Sequence, residues 1–163
     1  MNMKRELYIA ITALFLIASC QSEPGKTDAD KSTISARPYL EKTLVVPWII
    51  ELNDSTKLME IKKNPAADLS NLDPQDMVDA LNLKYPQIKL EWIKQEGNKA
   101  FVKIADATFL TQQSGTEGAQ AYLAEATFSL TELKDIHAVE FSFKEGDHAQ
   151  PGVYSRDDFK GFN

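Results

Sequence analysis

Reactive side chains concentrate in one run near the end of the chain, Glu145-Gly146-Asp147-His148-Ala149-Gln150-Pro151-Gly152-Val153-Tyr154-Ser155-Arg156-Asp157-Asp158. Asp147 and His148 could share a metal ion. His148, whose imidazole titrates near neutrality, could also serve as a base toward Ser155. Asp147, His148, Tyr154 and Arg156 therefore form the candidate ligand loop. The simpler account of the same residues is a solvated loop after the last strand, with Pro151-Gly152 making a turn. Asp157 and Asp158 are adjacent and point apart on most backbones, which suits surface charge better than paired acid and base.

Elsewhere the chain offers little chemistry. His137 suits a cap or a surface position. With two histidines, a zinc site would need several carboxylates at spacings not present here. The sequence has no G-x-x-x-x-G-K-[ST], G-x-S-x-G or H-E-x-x-H. No catalytic residue, metal or cofactor is expected, and an enzyme is not. Trp48, Trp92, Phe101 and Tyr154 could line a groove, although alternating strand aromatics usually belong to a core.

The single cysteine, Cys20, carries the clearest modification signal. Lys4 and Arg5 precede an apolar run from Leu7 to Ala18, which ends in small residues before the cysteine: a secretion signal. Leu7 to Ser19 is too short to span roughly 30 Å of hydrocarbon, which takes about 20 helical residues. Ile17-Ala18-Ser19-Cys20 resembles the lipobox of bacterial lipoproteins, which implies cleavage after residue 19 and lipidation of Cys20. Gln21, not Asp, follows the cysteine, which by the same resemblance implies the outer membrane in a two-membrane cell.

The whole chain carries a net charge of −6. Loss of residues 1–19 removes two positive charges and one negative, leaving −7. Anionic headgroups would repel such a domain, so an anchor at Cys20 must be hydrophobic, each buried methylene contributing about 0.8 kcal/mol. With the two signs interspersed there is no basic face for phosphates, and nucleic acid is excluded as a partner. Residues 20–37 comprise the cysteine and a Pro, Gly, Ser, Asp and Lys tether with a reach of roughly 20–25 Å. Residues 38–163 are expected to form one domain, since the chain is too short for two comfortable cores.

Within that domain, Thr43 to Leu52 alternates as a strand, with Pro47 inside it forcing an edge or a bulge. Asn53-Asp54-Ser55 turns the chain into a second strand, Lys57 to Lys62. Asp73 suits an N-cap and Pro74 the first position of a short helix bounded by Pro86, with Leu72 stapled to Met77. Ile88, Leu90 and Trp92 lead through the Gly97-Asn98 turn to Ala100, Val102 and Ile104, a second hairpin. Ser114 and Glu117 suggest a capping box for the main helix. In that helix Ala119, Tyr122, Leu123, Ala126, Leu130 and Leu133 make one apolar stripe, and Phe128 points to the opposite side. Val139, Phe141 and Phe143 alternate in a last strand. The expected fold is α+β, ββαββαβ, one mostly antiparallel sheet with two helices on one face. Phe101 and Ile93 would then lie on an uncovered face and mark a contact surface.

The pattern Gly97-x-x-Ala100-x-Val102-x-Ile104, then Phe109, Gly115-x-x-Gly118 and Val139-x-Phe141, resembles the GerMN domain of the sporulation and spore germination family over roughly residues 43–145. The resemblance implies a compact α/β module similar to ring-building motifs of envelope assemblies, carried by lipoproteins and without catalytic residues. Only one copy fits here, and the tail beyond Gly146 is longer than that core requires. A lipid-anchored extracytoplasmic module that binds an envelope protein or itself is therefore expected. The alternative is a binder of a small ligand or cell-wall fragment through the 145–158 loop.

Overall fold

The computed structural model describes residues 44–70 and 72–162. Cys20, the signal segment 1–19 and the tether 20–37 lie outside the described residues. The elements run in order β1 (Trp48–Leu52), β2 (Met59–Lys63), α1 (Pro74–Lys84), β3 (Leu90–Glu96) and β4 (Lys99–Ile104). A π-helical turn (Phe109–Gln113), α2 (Gly115–Leu130), β5 (Ala138–Ser142), β6 (Gly152–Tyr154) and a 3-10 segment (Arg156–Phe162) follow. The class is α+β.

Both expected hairpins form, but they do not share a sheet. β1 and β2 pair antiparallel as a two-stranded sheet, and β3-β4-β5-β6 make a separate mixed sheet in that order. The β4–β5 pairing is parallel, Lys99 opposite Ala138 and Lys103 opposite Ser142. The expectation of one sheet is thus corrected. β1 also starts later than its alternation suggested, at Trp48, because Pro47 has no N–H for the ladder; its carbonyl instead accepts from the Asn64 N–H at 2.8 Å.

α1 begins as its sequence dictates. The Asp73 carboxylate accepts from the Asp76 N–H and the Asp76 carboxylate from the Asp73 N–H, both at 2.9 Å, with Pro74 at the first position. In the second hairpin Gly97 takes φ of +59°, which a side chain rarely allows. A bulge between Trp92 and Lys94 leaves Ile93 outside the register. It kinks a strand that would otherwise present a regular free edge to other chains.

The start of α2 departs from expectation. Residues 109–113 already wind as a π turn, closed by the Ser114 N–H on the Phe109 carbonyl at 2.9 Å. The Ser114 hydroxyl therefore donates back to the Leu110 carbonyl at 2.6 Å and makes no capping bond to Glu117. Neither is α2 amphipathic in its setting. Ala119 and every residue from Ala121 to Leu130 are buried, and the helix touches β1, β2, β5, α1 and the 3-10 segment. Phe128, on the side away from the apolar stripe, is covered by Trp48 of β1, ring to ring at 5.1 Å. The helix ends at Leu130, so Leu133 packs from the turn beyond it.

Ala100, Val102 and Ile104 of β4 and Val139 and Phe141 of β5 point into the core, while Lys99, Phe101 and Lys103 look outward. No helix among the described residues is long and apolar enough to cross a membrane.

Candidate functional site

The 145–158 segment is not a simple solvated loop. Gly152–Tyr154 adds β6 to the sheet, with Val139 opposite Tyr154 and Phe141 opposite Gly152. The segment before β6 is held by the π turn and the start of α2. The His148 N–H donates to the Thr111 carbonyl at 3.0 Å, and the His148 ring Nδ1 lies 3.2 Å from the Thr116 hydroxyl. Gly146 sits so close to this support that a Cβ would fall 2.7 Å from Thr111 Cβ and 2.8 Å from its Oγ1. Glycine is required by space here. Gly146→Ala is expected to lower stability by about 1–3 kcal/mol and to displace the loop, seen as an earlier urea midpoint with an unchanged slope.

Beneath this loop lies an open cleft of about 440 Å³. Asp147, His148 and Tyr154 line it with Gln150 and Asp158 of the same run, together with Gln120, Phe159 and Phe162, which the sequence did not single out. Tyr154 rests edge-on against Phe141 at 5.9 Å and stacks on Phe159 at 5.7 Å, and its hydroxyl donates to the Gln150 carbonyl at 2.7 Å. Burial, followed by the Asp158 charge, raises the Tyr154 pKa. Asp158 accepts from the Ser155 N–H at 2.7 Å and from its hydroxyl at 2.8 Å, and these bonds hold its carboxyl below the usual range. The Ser155 hydroxyl is thereby committed to Asp158 and His148 to Thr116, so the serine and histidine are not joined as nucleophile and base. Of the four aromatics considered as groove residues, only Tyr154 lines this cleft. Among the described residues no group of three or more His, Cys, Asp or Glu could hold a metal ion.

Arg156, the fourth candidate, is placed elsewhere and spent on structure. Its guanidinium lies 5.1 Å from the rings of both Trp48 and Phe128. It donates to Thr131 Oγ1 at 2.8 Å, to the Phe128 carbonyl at 3.1 Å and to Glu132 at 2.7 Å. The Trp48 indole N–H donates to the same Glu132 oxygen at 2.9 Å. Desolvation pushes the Glu132 carboxyl up, but the bonds from Arg156 and Trp48 and the charges of Arg156 and Lys63 outweigh it, and the net direction is down.

A second polar cluster is internal. Glu125, in the middle of α2, is fully buried. One of its oxygens accepts from the Ile50 N–H at 3.0 Å, Lys84 Nζ at 2.7 Å and the Tyr85 hydroxyl at 3.0 Å. Tyr85 packs edge-on against Tyr122 at 5.1 Å, and burial followed by the Glu125 charge raises both phenol pKa values. The sequence signal for this cluster was a single acid among apolar positions, Ala124-Glu125-Ala126.

Compared with known proteins, the chain matches no family model, no curated protein and no solved structure.

Proposed function

We propose that this protein is a lipid-anchored, extracytoplasmic module of the bacterial envelope that works by binding an envelope protein or a second copy of itself, and not by catalysis. The observation that carries this reading is the outward face of the four-stranded sheet, over which no described element packs. Ile93 on β3 and Val153 on β6 are each 53% exposed there. Phe101 lies between them, half-buried, with Lys94 Nζ 4.8 Å and Lys99 Nζ 4.7 Å from its ring centroid. Isolated exposed apolar residues are ordinary; here two flank Phe101 and the Lys99–Glu140 ion pair on one sheet face, a mixed apolar and charged surface that a protein partner would cover.

The lipobox-like Ile17–Cys20 and the tether after it support the anchoring part, and the outer membrane is the site proposed for a two-membrane cell. The GerMN resemblance supports the assembly part, including the proposed similarity to ring-building motifs. In support of that resemblance, Gly97 takes the turn position and Ala100, Val102, Ile104, Val139 and Phe141 are buried strand residues.

Two measurements test the reading. Labelled fatty acid should enter the wild type and not Cys20→Ala. Cross-linking in intact cells should capture one defined partner or a second copy, and Ile93→Asp with Val153→Asp should abolish the adduct while leaving the unfolding midpoint almost unchanged. A strictly monomeric, partnerless chain would count decisively against it.

A second reading, small-ligand or cell-wall-fragment binding by the 145–158 loop, is favoured by one observation: Asp147, His148 and Tyr154 line a common cleft.

A further inference from the structure

We infer that the cleft beneath the 145–158 loop takes an uncharged saccharide, an inference that rests on the small-ligand reading above. Its volume of about 440 Å³ lies within the range of small-molecule sites. Its lining combines aromatic rings with planar polar groups: Tyr154 and Phe162, the Gln120 and Gln150 amides, and the His148 imidazole. Each glutamine amide carries donors and an acceptor at fixed spacing, and His148, whose Nδ1 lies 3.2 Å from the Thr116 hydroxyl, offers its Nε2. A sugar hydroxyl is likewise donor and acceptor at once, and neighbouring hydroxyls repeat at a spacing that a planar amide can bridge. The C–H face of a pyranose is apolar and fits against an aromatic ring.

Charge narrows the class. The lining holds two carboxylates, Asp147 and Asp158, and no lysine or arginine. A phosphate or carboxylate ligand would meet like charge without a compensating cation. A cationic ligand would meet the Asp147 carboxylate but little else. Asp158 already accepts two bonds from Ser155, and Phe159 is 6% exposed and stacked on Tyr154, so no cage of open ring faces surrounds a point. A neutral polyhydroxyl ligand can use the amides, His148 Nε2 and the aromatic lining without burying a charge.

The test uses the full chain in detergent micelles on an array carrying neutral hexose and N-acetylhexosamine oligosaccharides beside sialylated and sulfated ones. Amide chemical-shift mapping is carried out with the best array ligand, with choline and with inorganic phosphate. Binding to neutral glycans is expected, with shifts confined to residues 146–150, 154 and 158–162 and to Gln120 with its neighbours on α2. Gln120→Ala combined with Gln150→Ala, both at exposed positions, should weaken it by about tenfold or more with the urea midpoint little changed, as loss of two ligand hydrogen bonds implies. Shifts at these residues with choline, phosphate or acidic glycans alone would overturn the saccharide class while leaving a small-ligand cleft. No shift there with any probe would overturn both.

Discussion

Glu125→Ala should lower the unfolding free energy by about 3 kcal/mol, read as an earlier urea midpoint with an unchanged slope. The substitution leaves the Ile50 N–H, the Tyr85 hydroxyl and the Lys84 ammonium without their common acceptor. Removing one partner of a buried ion pair costs about 3–5 kcal/mol when the other charge stays trapped. The Lys84 side chain is 34% exposed and can turn to water, which removes part of that penalty. The two neutral donors cannot turn away so easily, because Ile50 belongs to β1 and Tyr85 to the packed end of α1. Glu125→Gln keeps an acceptor in the same place and should cost less than half as much. Combining it with Lys84→Met should cost less than the two single changes together, since the double variant leaves no lone charge. A Glu125→Ala protein within 1 kcal/mol of wild type would show that β1 and α1 do not depend on this carboxylate.

Arg156→Ala should destabilise the chain by about 2–3 kcal/mol, and Arg156→Lys should recover less than half of that. The planar guanidinium joins three parts of the chain: it lies against Trp48, donates to the last turn of α2 and pairs with Glu132. A positive charge at a helix C-terminus also complements the helix dipole, and a lysine would retain only that share. Acid should erase part of the difference between variant and wild type. The net pKa of Glu132 is depressed in the folded state, so its contribution is present above the ordinary glutamate value of about 4.3 and is lost as pH falls through the lower folded value. Urea midpoints of wild type and Arg156→Ala measured across that acid range should therefore converge.

What could be read from the sequence was what is decided locally. Asp73-Pro74 sets the start of α1 and Gly97-Asn98 sets the second hairpin, because each signal and its effect lie within a few residues. Ser114 misled because the residues before it were already helical, and the S-x-x-E pattern does not show what precedes it. The partition into two sheets was hidden for a different reason: alternation marks the faces of a strand but not its neighbour, and nothing in β4 announces β5 as a parallel partner. At the site, Asp147, His148 and Tyr154 were legible as a dense run of polar and aromatic residues. Arg156 belonged to the same run but was turned away by Trp48, Phe128 and Glu132, all more than 20 positions earlier. Gln120 and Phe162 reach the cleft through packing of α2 and the 3-10 segment, which no local pattern encodes.

The parallel alignment of β4 with β5 governs how this chain must fold. Lys99 faces Ala138, and the chain between them contains the π turn and the whole of α2. Closing a loop of that length carries an entropic cost before any strand pairing offsets it, and nonlocal contacts of this kind slow folding. A preformed α2 shortens the flexible part of the loop, so strengthening helix formation at its exposed Gln120 should speed folding more than it slows unfolding.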